Sequence, residues 1–266
     1  MILIEEKDGL VEFSFIFAIV GLLFGSFINM LIYRLPLGIS LINPKRSMCT
    51  SCNYTIKWYE NIPVFSYIFL KGQCSHCKDK ISILYPIVEL LTSGITVLLY
   101  LKLGLTTDFM ITTLFFYILL VLSFIDFRYK AVPDYLLILA LICGYFVYSF
   151  SFITALEFAG AIVLLELFVT FYIQNIKAKI LKDDSLKDQK AMGEGDIPIV
   201  ALIGGILGLK LGMFAIFLSA IFAIIPALIN IVIKKEIETP FIPFLSLGLF
   251  VVFINNAYFL ELLGRL

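Results

Sequence analysis

Two cysteine pairs and two aspartates stand out in this chain as residues able to do chemistry. Cys49-Thr50-Ser51-Cys52 is followed, after 21 residues, by Cys74-Ser75-His76-Cys77. Two CxxC knuckles at this separation are close to the spacing of a zinc ribbon. Four thiolates fill the tetrahedral shell of a structural zinc and leave no position for a reactive water. The competing reading is two disulfides, which needs an oxidising compartment. His76 lies inside the second knuckle, but the four cysteines already complete a shell, so it reads as a surface residue. Cys143, the fifth cysteine, lies in an apolar run and reads as a small hydrophobe.

Asp126 closes one apolar run, and Asp196 opens another directly after Gly193-Glu194-Gly195. A helix macrodipole opposes negative charge at the C-terminus and favours it at the N-terminus, so the two carboxylates are expected in opposite settings. Such a contrast suits peptide hydrolysis, in which one carboxylate takes a proton from water while the other donates to the scissile carbonyl. On this reading Asp196 starts as base and Asp126 as acid, the roles exchange during turnover, and the two titrate as a pair. Gly193 and Gly195 lack a Cβ and are expected to let an extended substrate backbone approach the carboxylate. For Asp196 taken alone an ordinary N-cap fits as well as catalysis, and for Asp134, after Pro133, the N-cap is the preferred reading.

The elements that position these groups are membrane spans. Hydrophobic residues make up 61% of the 266 residues, charged residues 15%, and mean hydropathy is +1.02, which excludes an ordinary water-soluble domain. No basic stripe points to nucleic acid. Eight apolar runs approach or reach the roughly 20 residues needed to cross a bilayer: 13–33, 83–101, 109–125, 135–150, 153–174, 197–209, 211–233 and 241–263. Segments 34–82, 126–134, 175–196 and 234–240 hold 16 of the 20 Lys and Arg. By the positive-inside rule these segments are cytoplasmic and the N-terminus lies outside. The start of the chain, with Glu5, Glu6, Asp8 and Glu12 against Lys7, does not read as a cleavable signal.

The cysteine module then faces the reducing cytoplasm, which favours zinc over disulfides. The run 197–209 is the shortest. A re-entrant turn there would move Lys234 and Lys235 outside, so a short full crossing is expected, with Gly204 and Gly208 as a small-xxx-small pair for close helix approach. Acids within spans are costly and need a reason. Glu157 is expected to reach water, and Glu89 and Glu166 to make polar contacts inside the bundle. The expected fold is an all-α polytopic membrane protein of about eight transmembrane helices. Its parts are an N-terminal segment and first helix (1–39), a small cytoplasmic zinc-knuckle domain (40–82) and a transmembrane core (83–266). Trp58-Tyr59-Glu60-Asn61-Ile62-Pro63 in the knuckle domain fits either partner binding or aromatic packing at the membrane interface.

In order along nearly the whole chain, these residues resemble the bacterial type IV prepilin peptidases. The resemblance is carried by Gly25-Ser26-Phe27-Ile28-Asn29, Tyr33-Arg34-Leu35-Pro36, Arg46-Ser47, the two knuckles and Trp58 to Pro63. It continues through Tyr85-Pro86-Ile87-Val88-Glu89-Leu90-Leu91, Ile125-Asp126, Val132-Pro133-Asp134 and Met192-Gly193-Glu194-Gly195-Asp196. Thr50 and Pro198 depart from the family pattern, which often has proline and lysine there. The resemblance implies an enzyme of the bacterial inner membrane that cuts the basic leader from type IV prepilins or pseudopilins after a glycine, at the cytoplasmic face. It implies Asp126 and Asp196 as the catalytic pair and Cys49, Cys52, Cys74 and Cys77 as the zinc ligands. It further implies, for many members, N-methylation of the new terminus with S-adenosylmethionine as methyl donor. A proton-coupled transporter, whose paired acids would lie near the midplane, and a zinc-bearing scaffold without turnover are the rival readings.

Overall fold

The computed structural model describes residues 2–43, 46–148, 150–181, 193–229 and 239–264. Met192, Lys234 and Lys235 lie outside the described residues. The described chain is helical, with two isolated bridges, Met48–Thr55 and Gln73–Lys80, in place of any strand. The helices are α1 (Ile2–Arg34), the short α2 (Phe65–Phe69), α3 (Leu84–Leu103), α4 (Thr107–Tyr129) and α5 (Asp134–Tyr145). There follow α6 (Phe152–Phe171), which continues through a π-turn at Tyr172–Lys177 into α7 (Ala178–Leu181), then α8 (Asp196–Ile229), α9 (Ile242–Ile254) and α10 (Asn256–Gly264). Five stretches are long and apolar enough to cross a membrane: Phe13–Arg34, Leu84–Leu103, Thr107–Tyr129, Phe152–Ile180 and Asp196–Ile229, the last interrupted by non-helical backbone at Gly208. A sixth arises if α9 and α10, bent by 83°, are taken as one span. The chain is an all-α integral membrane protein.

The chain divides into two compact units, Met1–Ile125 and Asp126–Leu266. The first groups the cysteine module with α1, α3 and most of α4, whereas the sequence reading joins α3 and α4 to the later helices.

Within the first unit α1 and α3 pack antiparallel in a register marked every four residues. The Cβ that Gly21 lacks would stand 2.6 Å from the Ser93 Cα, and that of Gly25 2.6 Å from the Glu89 Cα. One further turn along, Asn29 Nδ2 donates to the Tyr85 carbonyl at 3.0 Å. Small residues at this spacing let two backbones approach closely, which is how helices associate when lipid supplies no hydrophobic drive. Ser93 Oγ adds a hydrogen bond to the Ala18 carbonyl (2.9 Å), and Thr96 and Tyr117 hydroxyls meet at 2.6 Å.

Glu89 is buried, and its Oε2 accepts the Val64 N–H at 2.7 Å. The expected interior contact is therefore made, but to a loop rather than to a helix. Val64 has φ +61°, a conformation a β-branched residue rarely adopts. The buried carboxylate sustains it, because releasing Val64 would orphan a charge-assisted hydrogen bond. Glu157 is exposed and Glu166 half-buried.

In the second unit α8 is two helices. Gly208 has φ +71° and ψ −176°, a backbone open in practice only to glycine. In one straight helix residues eight apart are separated by about 12 Å, yet a Cβ at Gly212 would lie 3.5 Å from the Gly204 Cα. The chain therefore folds back at Gly208, and segments 196–207 and 209–229 form an antiparallel hairpin. Gly104 (φ +65°, ψ −171°) ends α3 in the same conformation before α4. The expected close approach at Gly204 is real, but Gly208 is the turn, not its packing partner. Gly204 and Gly212 both take the ring of Phe158 from α6, while Gly205 takes Phe150. Gly204→Val would drive a branched side chain into that ring. We expect a loss of roughly 2 to 3 kcal/mol, the usual cost of overpacking a close contact, read as a lower unfolding temperature in detergent.

α5 spans only 12 residues, and its N-cap position is Pro133, with no side-chain cap bond. Asp134 is thus the first helical residue and not the cap expected of it. Ser151 is a true cap of α6, accepting the Thr154 N–H through its hydroxyl.

Candidate active site and cysteine cluster

Asp126 lies in the last turn of α4, which runs on three residues to Tyr129, so it sits at the helix C-terminus as the sequence reading has it. Its Oδ2 accepts the Ile242 N–H at 3.2 Å, and the Phe241 backbone N–H also donates to the carboxylate. These are unsatisfied amide groups at the start of α9, where a helix favours an anion. The expected placement at opposite helix ends is therefore present, but the α9 amides give Asp126 an anion-favouring contact that offsets its position at the end of α4. Asp196 is the first residue of α8, and its carboxylate receives the backbone N–H of Gly193 from the loop before that helix.

Both aspartates are buried, at 8% and 7% exposure, and the charge of Asp126 acts directly on Asp196. Two carboxylates in such proximity, each already bonded to backbone amides, are costly as a purely structural device, since like charges repel and burial removes the water that would screen them. The same arrangement can share a proton and activate a water between two oxygens.

Gly193 is exposed, and a Cβ there would lie 3.5 Å from Asp196 Oδ2. The carboxylate is turned back toward this glycine. Gly195 has a different constraint: a Cβ would stand 2.8 Å from Val132 Cγ2 and 3.4 Å from Ile242 Cδ1. It lets the loop before α8 close down on the segment after α4 and on the first residue of α9. Pro198, in the first turn of α8, costs no intrahelical bond because its N–H would have no partner there. The start of α9, Phe241-Ile242-Pro243, carries no charged side chain, so its contact with Asp126 leaves no signal in composition or motif spacing.

The four cysteines come together in the first unit, with all ligand sulfurs within 4.8 Å of one another. Cys49 Sγ and Cys77 Sγ are 3.8 Å apart. That is far beyond a disulfide bond, and four sulfurs bound at 2.3 Å to one tetrahedral zinc stand about 3.8 Å apart. All four are free thiols. The two knuckles are built alike. Cys49 N–H donates to the Tyr54 carbonyl and Asn53 N–H to the Cys49 carbonyl; Cys74 N–H donates to Asp79 and Lys78 N–H to Cys74. Asn53 (φ +57°) and Lys78 (φ +62°) supply the left-handed residue directly after the second cysteine of each pair. Ser51 and Asp79 side chains hydrogen-bond across the two knuckles.

Backbone N–H groups of Cys52 and Ser51 pull the Cys49 thiol down to about 7. The Asp79 backbone N–H favours the Cys77 thiolate, but burial and the sulfurs of Cys52, Cys74 and Cys49 push it up to about 12. One thiolate forms readily and the rest repel it, which is the donor set a divalent cation completes. His76 stacks on Tyr54 with centroids 5.2 Å apart and stands outside this cluster. Cys143 is half-buried.

Residues 19–103 match the family model of the Bacterial Peptidase A24 N-terminal domain, and residues 113–228 that of the Type IV leader peptidase family. The chain is 35% identical over 227 residues to the prepilin leader peptidase/N-methyltransferase of Vibrio cholerae, covering 79% of this chain and 83% of that one. It is 30% identical over 278 residues to the protein of the same name from Aeromonas salmonicida, covering 91% and 90%. A Bacillus subtilis relative of that name is 29% identical over 236 residues, covering 86% and 89%. No solved structure matches. The first family boundary encloses the cysteine cluster and the second encloses both buried aspartates, and with this extent of identity the chain belongs to the type IV prepilin leader peptidase family.

Proposed function

We propose that the chain is a membrane aspartyl endopeptidase that removes the basic leader from type IV prepilins or pseudopilins, with Asp126 and Asp196 as the catalytic pair. The observation that carries this reading is the pair itself: two buried carboxylates, drawn from distant parts of the chain, each anchored by backbone amides, with the charge of Asp126 bearing on Asp196. One carboxylate takes a proton from the attacking water and the other donates to the carbonyl oxygen of the scissile peptide. The α9 amides hold the Asp126 carboxylate in place, with the Ile242 N–H on Oδ2. Gly193 lies over the Asp196 carboxylate without a side chain, the surface against which a peptide backbone would run. Gly195 contributes by letting the loop pack. The transmembrane core assigned to residues 83–266 carries this chemistry.

The charge bias of the loops supports placing both the cysteine module and the catalytic pair on the cytoplasmic side of the bacterial inner membrane. Cleavage after glycine follows from the family. Zinc is the proposed occupant of the Cys49, Cys52, Cys74 and Cys77 cluster, where it would hold the two knuckles together and supply no reactive water.

The relatives' name includes an N-methyltransferase, and we extend that second activity to this chain, with S-adenosylmethionine as donor. Co-expression with a candidate prepilin tests both activities at once. Mass spectrometry of the mature pilin is expected to show loss of the leader and one added methyl on the new N-terminus. A trimmed but unmethylated pilin would restrict the chain to proteolysis, and an untrimmed one would remove the peptidase assignment.

A further inference from the structure

The cysteine module wears its apolar residues on the outside. In α2, Ser66 is 7% exposed, while Phe65, Ile68 and Phe69 are 57%, 63% and 81% exposed, and nearby Trp58 is 78% exposed. The buried serine is fully used, donating to the Tyr59 carbonyl and accepting the Ile62 N–H. A turn of helix with its hydroxyl inward and its rings outward is inverted relative to any module surrounded by water.

The hydrogen bonds fix the level at which these rings sit. Val64 N–H reaches Glu89, and Asn61 Nδ2 reaches Ser26 Oγ at 3.4 Å. Glu89 lies five residues inside α3 and Ser26 eight residues before the end of α1. At 1.5 Å per residue these anchors are about 7 and 12 Å in from the helix ends. Both helices belong to membrane-spanning stretches. The loop that begins α2 therefore hangs below the ends of the spans, at the depth where an interfacial helix buries its apolar face. Residues 40–82 also carry Lys45, Arg46, Lys57, Lys71, Lys78 and Lys80 against only Glu60 and Asp79, an excess that complements anionic headgroups.

We propose that the four-cysteine module is a membrane-interface module, with Trp58 and the Phe65, Ile68 and Phe69 face of α2 seated among the headgroups and upper acyl chains of the bilayer its own helices span. On α1, Phe24 and Phe27 on either side of the Ser26 that Asn61 reaches are half exposed as well. Lipid is favoured over a protein partner because the depth of the anchors and the basic excess both specify a bilayer surface.

Trp58 is the chain's single tryptophan, so the intact protein reports its own depth. The full chain is reconstituted in vesicles of phosphatidylcholine and phosphatidylglycerol. Trp58 fluorescence is expected to be quenched about twofold more by lipids brominated near the headgroup than by lipids brominated near the chain ends, as an interfacial residue requires. Aqueous iodide should quench it weakly. Strong iodide quenching with no effect of brominated lipid would overturn the proposal, as would preferential quenching from the chain ends. Protection from iodide that arises only on adding a prepilin-derived peptide would also overturn it, marking the face as a peptide site. Ile68→Ser with Phe69→Ser should shift the emission to the red and reduce quenching by brominated lipid while bound metal is unchanged. Undiminished quenching would overturn the role given to α2, and if that variant loses its metal, the unmutated chain still decides.

Discussion

Asp126→Asn and Asp196→Asn are each expected to lower leader removal by at least about a thousandfold, the usual scale when one member of a catalytic unit is lost, with insertion and abundance unchanged. The replacement amide is the same size as the carboxylate, and its oxygen can still accept the amides that hold Asp126 at the start of α9 or that reach Asp196 from Gly193. What it cannot do is take a proton from water, or share one with its neighbour. Each exchange also removes one of two buried like charges, so the fold has no electrostatic reason to weaken. Cleavage of a co-expressed prepilin, read by gel shift beside immunoblots of the membrane fraction, checks this. Substantial cleavage by either variant would dissolve the pair as the catalytic unit. The double variant should be no worse than either single one, because two groups acting in one step do not lose their effects additively.

Metal removal should have the second largest effect, on structure. The purified chain is expected to hold about one zinc, as a single four-thiolate shell requires. Changing Cys49 and Cys77 to serine should bring this to none. Structural zinc contributes on the order of 10 kcal/mol to such small folds. The knuckles have little else to replace it: the module's largest apolar side chains, Trp58 and Phe69, point outward, and of its four cysteines only Cys74 is buried. Strong chelation should therefore make the chain susceptible to trypsin at Lys71, Lys78 and Lys80, while the helices of the second unit stay resistant. Metal-free protein with an intact, protease-resistant module would remove zinc from the fold.

The cysteine cluster was legible because its chemistry is local. Two thiolates three residues apart form half a site within one turn, so spacing alone predicted both half-sites and the structure had only to bring them together. Asp196 was legible for a similar reason, since the glycines before it and the apolar run after it mark a helix start. Asp126 was legible as a residue but not in its setting. The amides that hold it belong to Ile242 and Phe241, more than a hundred residues away, and a backbone N–H looks the same in every sequence. The two aspartates do sit at opposite helix ends, but the amides that offset the setting of Asp126 could not be read from the sequence for that reason.

Gly208 was read as a packing residue because glycine at four-residue spacing fits close helix approach. A positive φ satisfies the same sequence, and only the fold-back onto Gly204 separates the two. Gly195 shows the same ambiguity: absence of a Cβ serves substrate access and tight packing alike, and Val132 and Ile242 are what occupy the space. Val64 could not be anticipated at all, because its strained backbone is sustained by Glu89 across a helix interface.

By itself, then, the sequence determined that this protein lives in a membrane and that four thiols gather at one metal-sized centre, and it singled out two aspartates for the proposed chemistry. These depend on hydropathy, short spacing and the cost of burying charge, all of which are properties of adjacent residues. Tertiary structure alone decided which amides hold Asp126, where α8 turns back, and how far the cysteine module sinks along α1 and α3. Those depend on backbone groups and side-chain volumes meeting across distant parts of the chain, and no local pattern encodes such meetings.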